Sequence, residues 1–81
     1  MALKCRIKNI MDLDGSTQKM SHAQRVGRDG ELLPISVGQA MCLKYSDGHG
    51  ILTTSTIDEI GESPKEFKIK TQSAIYILEK I

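Results

Sequence analysis

Tryptophan is absent from this 81-residue chain, and only Phe67, Tyr45 and Tyr76 are aromatic. Single-stranded nucleic-acid binders stack bases on aromatic platforms, and three rings, some of them needed for a core, make a poor one. There are two cysteines, Cys5 and Cys42, far apart and with no CxxC or Cys/His spacing. A secreted domain of this size carries four or more, so reduced thiols and a cytoplasmic location are expected. The longest apolar run, Ala74 to Leu78, is five residues, against the ~20 that span a bilayer. Residues 1–6 alternate cations with apolar side chains, which is not a signal-peptide pattern. No membrane association is expected.

Catalytic signatures are missing too. There is no GxxxxGK[ST], GxSxG, HExxH or DxDxDG. Of the two histidines, His49 sits in a glycine-flanked turn, and His22, which would face Ile7 across a hairpin closed at Asp14-Gly15, reads as a half-buried packing residue. Asp47 and His49 could touch a metal, but two donors in one turn do not make a site. The expectation is a protein that is not an enzyme, with no metal and no cofactor.

Charge is nearly balanced. The formal net charge is +1, which excludes a polycationic tail and leaves a weak electrostatic footprint for a nucleic-acid duplex. Its distribution is uneven: residues 1–30 hold six Lys/Arg against three Asp, and residues 31–81 hold five Lys against seven Asp/Glu. All three arginines are in the first part.

What is present is period-two patterning. Leu3 to Met11 alternates, with Leu3, Cys5, Ile7, Asn9 and Met11 on one face and Lys4, Arg6, Lys8 and Ile10 on the other. Asp14-Gly15 supplies hairpin-turn chemistry and predicts a partner strand over 17–26. In that register Leu3 faces Val26, Cys5 faces Gln24, Arg6 faces Ala23 and Lys4 faces Arg25. A competing reading makes 17–26 a short helix, because Met20, Ala23 and Val26 recur every three residues. Gly27 to Gly30 reads as a turn, and Leu32-Leu33-Pro34 as at most a short edge strand.

Two further hairpins follow. The first turns at Asp47-Gly48-His49-Gly50, with Met41, Leu43, Tyr45 and Leu52 on one face and Cys42, Thr53, Ser55 and Ile57 on the other. Gly61 to Pro64 is a turn. The second hairpin joins Phe67 and Ile69 to the strand 74–78. A two-residue loop at Gln72-Ser73 pairs Phe67 and Ile69 with Tyr76 and Leu78, and a three-residue loop pairs them with Ile75 and Ile77. The fold expected is a single all-β domain over 1–81: an antiparallel barrel or sandwich of five to six short strands, SH3-like or OB-like. A chain of this length buries only about 60% of its unfolded surface, and a homo-oligomer would supplement a small core.

Three features point to function. Lys4, Arg6, Lys8, Lys19 and Arg25 share a face in the predicted hairpin, and arginine suits phosphate or carboxylate. The run Thr53 to Thr56, with Thr71, offers hydroxyls. The last strand is apolar on both faces beside Lys68 and Lys70, which suggests an interface. The primary expectation is a non-enzymatic binding protein that holds an anionic ligand such as a nucleotide through Arg6, Lys8, Arg25, Arg28, Thr53, Ser55 and Thr71. A phage or mobile-element accessory protein that sequesters a nucleotide or blocks a host factor would fit that description. The alternative is a protein–protein adaptor that binds through Ile75, Tyr76 and Ile77.

Overall fold

The computed structural model describes residues 3–13, 26–48 and 50–81. Six strands follow one another: β1 Leu3–Met11, β2 Asp29–Leu32, β3 Ala40–Tyr45, β4 Ile51–Glu62, β5 Glu66–Thr71 and β6 Ile75–Lys80. Each pairs antiparallel with the next, and β6 returns to β1, so the sheet closes as a barrel. Closure leaves no open sheet edge. The order is that of an up-and-down barrel. An OB-like barrel is excluded, because its five strands run in Greek-key order. Among the described residues no helix is long and apolar enough to cross a membrane.

The central hairpins form as their patterns predict. Met41, Leu43, Tyr45 and Leu52 all enter the core. Gly48 and Gly50, at φ +76° and +116°, carry the left-handed backbone of the β3–β4 turn. The last hairpin takes the two-residue loop: Phe67 faces Leu78 and Ile69 faces Tyr76. Thr71 fastens that loop. Its N–H donates to the Ala74 carbonyl at 2.9 Å, and its Oγ1 accepts from the Ala74 N–H at 3.1 Å.

The first hairpin differs from expectation. Leu3 faces Leu32, Lys4 faces Glu31, Cys5 faces Gly30 and Arg6 faces Asp29. The partner of this part of β1 is therefore β2, not residues 22–26. Residues 14–25 lie outside the described set, and with them the Asp14-Gly15 turn and all but Val26 of the strand or helix expected over 17–26; Val26 is in a turn and packs against the core. The 29–32 segment, expected as turn and broken edge, is a strand inside the closed sheet. Gly30 permits that closure: a Cβ there would meet the Lys44 carbonyl oxygen at 2.6 Å.

Three bulges reset which face each residue takes. In β1 the register shifts between Ile7 and Asn9. Asn9 Oδ1 accepts from the Ile10 N–H at 2.9 Å. Ile10 then turns inward and is fully buried, opposite to the simple alternation, while Met11 turns out beside Ile75. In β4 two residues, Thr54 and Ser55, oppose Met41. The freed Met41 N–H donates to Thr54 Oγ1 at 3.1 Å. A further shift between Ile57 and Glu59 marks where β4 passes from β3 to β5. Ile57, expected on the face opposite Met41, Leu43, Tyr45 and Leu52, is buried with them at 1% exposure.

The core is one cluster lined by every strand, with Ile7, Ile10, Leu43, Ile69 and Leu78 wholly buried. Cys5 lies in it, and burial pushes its thiol pKa up, which keeps it protonated and unreactive at neutral pH. Cys42 is half-buried on β3, and both cysteines are free.

Candidate functional site

The cations expected to hold a ligand are mostly engaged. Arg6 Nε donates to Asp29 Oδ1 at 2.7 Å, and its second donor reaches Oδ2 at 3.3 Å. The register explains the pair, since Arg6 and Asp29 are directly opposite on β1 and β2. The hydrogen bond from Arg6, aided by its charge, holds the Asp29 carboxyl below the usual carboxylate range. Asp29 in return raises Arg6. Lys8 forms an ion pair with Glu66 of β5, and that hydrogen bond raises the lysine pKa. Arg28 reaches Asp47 at 3.0 Å and stacks 3.5 Å from the Tyr45 ring centroid, so it clamps the β3–β4 turn. Arg25 lies outside the described residues, as do Lys19, His22 and His49.

The hydroxyls stand elsewhere, and those of Ser55 and Thr71 are engaged. Thr53 and Ser55 stand on β4, three strands from β1 in either direction around the ring. Ser55 Oγ is 2.9 Å from Ser73 Oγ. Thr71 is fully buried and serves its own turn. The barrel therefore does not gather the cation set and the hydroxyl set into one pocket. Among the described residues no three metal-donor side chains converge.

The outer wall of β4, β5 and β6 is different. Two rungs cross it: Glu59, Lys70 and Ile75 in one, Gly61, Lys68 and Ile77 in the other. The rungs continue onto β1 with Met11 and Asn9. Ile75, Ile77 and Met11 are half-buried, and Leu13 is 46% exposed. Tyr76, expected on this face, points inward and is buried, because side chains alternate along β6. Among the described residues neither Lys68 nor Lys70 makes an ion pair. Lys68 has uncharged neighbours on both sides, Gly61 and Ile77.

A depression of about 310 Å³ opens in this wall. Leu13, Ile75, Glu59, Lys68 and Lys70 line it with Gly61 and with Ile60, which pairs with the buried Ile69 and packs toward the core. Gly61 keeps it open: the atoms nearest a Cβ there are Lys68 O at 3.7 Å and Lys68 Cβ at 3.8 Å. A second depression of about 280 Å³ shares Gly61 and Lys68 and runs on to Ser63 and Glu66. Lys68, Lys70 and the isoleucines were visible in the sequence pattern. Met11 was hidden by the β1 bulge, for which Asn9, a poor strand former, was the one signal. Gly61 was hidden because it read as part of a turn.

Compared with protein-family models, with curated proteins and with solved structures, the chain matches none.

Proposed function

We propose that this barrel is a non-enzymatic adaptor that binds a protein partner through the outer wall of β4, β5 and β6. The observation that carries the reading is Lys68, which makes no ion pair among the described residues and lies between Gly61 and Ile77, on one wall with Lys70 and the half-buried Ile75. The chemistry this selects is a partner surface with carboxylates next to aliphatic side chains. A second copy of the chain is the competing partner. A two-fold dimer pairs residue i of one copy with residue j of the other, and the patch holds Glu59 as well as Lys68 and Lys70. A nucleotide or other anion at Arg6, Lys8 and Arg28 ranks lower, because it would have to displace Asp29, Glu66 and Asp47.

Site-specific photo-cross-linking tests the reading. A cross-linker placed at Ile77 in the intact protein, irradiated in the cells that make it, should give one discrete adduct. Lys68→Glu should abolish that adduct, and a cross-linker at Lys8 should give none. Equal adducts at Ile77 and Lys8, or an adduct at twice the chain's mass, would contradict it.

A further inference from the structure

We infer that Lys8, on the neighbouring wall, is a positioning residue for the docking surface: by holding Glu66 it keeps Lys68 free for a partner. The inference rests on the adaptor reading and adds a means of regulating it. Lys68 makes no ion pair among the described residues, yet carboxylates surround it. Glu59 lines one depression with it, and Glu62 and Glu66 line the other. Glu66 is the nearest along β5. It is two residues from Lys68, and with the buried Phe67 between them both face outward, roughly 7 Å apart at about 3.3 Å per residue. Side chains of these lengths span that gap.

Each of the three carboxylates has another cation. Glu59 lies directly opposite Lys70, a shorter reach than the diagonal to Lys68. Glu62 accepts from Lys80 Nζ at 2.7 Å, and that ammonium is fixed by the Ser63 carbonyl at 3.0 Å and by the Phe67 ring, 4.6 Å from its centroid. Glu66 pairs with Lys8, and this pair reaches from β1 to β5 across the whole width of β6. Glu79 is what draws Lys8 over. It faces Glu66 in register on β6, and like charges directly opposite each other are destabilising. The Lys8 ammonium is stabilised by both carboxylates, and so relieves their repulsion. Without Lys8, Glu79 still has Arg6 opposite it. For Glu66 the nearest cation on the same face of its own strand is then Lys68. Glu66 turns to Lys68, and a partner has to displace it before docking.

The test is brief acylation of the intact protein with a water-soluble succinimidyl ester, the rate at each lysine being read by mass spectrometry against Lys44 on β3. Only the free amine reacts, and a carboxylate beside an ammonium holds its proton on, so an ion pair slows the reaction. Lys8→Met should slow Lys68 at least twofold. Lys8→Arg, which keeps a cation for Glu66, should leave Lys68 at the wild-type rate, and Lys8→Met with Glu66→Gln should restore it. Glu66→Gln alone should not slow Lys68, although it breaks the same ion pair; a merely structural pair would make the two single variants act alike. Thermal melts check that each variant is folded, and Lys8→Gln repeats the test should Lys8→Met not fold. In the cross-linking assay at Ile77, Lys8→Met should cut the adduct at least twofold, and adding Glu66→Gln should return it. A Lys68 rate unchanged in Lys8→Met, slowed equally in Glu66→Gln or not restored in the double variant would overturn the inference, as would an adduct indifferent to Lys8. Acylation needs no partner. The lack of any Ile77 adduct in the unaltered protein would therefore sink the adaptor reading, while the Lys68 rates still judge the role of Lys8.

Discussion

Two walls of one barrel use their charges differently. On the β2–β1–β6 wall the charges face each other across strands: Asp29 against Arg6, and Arg6 against Glu79. On the β4–β5–β6 wall Lys68 lies between Gly61 and Ile77. The same contrast holds for the glycines. A Cβ on Gly30 in β2 would clash with the Lys44 carbonyl, whereas one on Gly61 in β4 would meet Lys68 at an ordinary contact distance of 3.7 Å. One wall spends its side chains on closing the sheet. The other pairs Lys80 with Glu62 and sets Lys70 opposite Glu59, but leaves Lys68 without an ion pair among the described residues.

The largest effect should come from the glycines. Gly30→Ala puts a methyl group within 2.6 Å of backbone oxygen, and overpacking of this kind costs about 1–3 kcal/mol. Gly61→Ala should change stability by less than about 0.5 kcal/mol, as surface substitutions do. Urea unfolding of the two variants checks the pair, and equal losses would erase the contrast. Next comes Arg28→Ala, which removes the Tyr45 stack and the Asp47 pair. Exposed examples of each are worth up to about 1 kcal/mol, so the same unfolding assay should show a loss of that order. Lys68→Glu should leave the unfolding midpoint unchanged, since it breaks no ion pair among the described residues.

The smallest effect is a titration. Asp29 has its pKa lowered by Arg6. A group lowered in the folded state contributes stability above its unfolded pKa, about 3.9, and loses it as pH falls through the folded value. Carboxyl NMR should therefore place the Asp29 midpoint below about 3.9, and Arg6→Gln should return it upward. An unmoved midpoint in Arg6→Gln would dissolve the pair.

Much of this architecture could be read from residue order. Alternation plus turn residues revealed β3, β4, β5 and β6, and Gln72-Ser73 offered the register that the last hairpin adopts. Two things could not be read. The partner of Leu3–Arg6 was hidden because Asp14-Gly15 advertises a local turn, whereas the observed partner comes from residues 29–32 and depends on closing a ring. Bulges were hidden because one inserted residue exchanges the faces of all that follow. That exchange sent Ile10 inward and Met11 outward. The cations of β1 were visible as charges, but the carboxylates that neutralise Arg6 and Lys8 lie 23 and 58 residues away in the chain. Only the barrel brings them together.

The most direct measurement is an amide NMR map of the isotopically labelled protein, titrated in parallel with acetyl-Glu-Leu-Glu-amide and with inorganic pyrophosphate. The account predicts that the peptide shifts Gly61, Lys68, Lys70, Ile75 and Ile77, and that neither titrant moves Arg6, Lys8 or Arg28. Shifts concentrated on Arg6, Lys8 and Arg28, with the β4–β6 wall silent, would contradict it and return the anion-binding reading to first place.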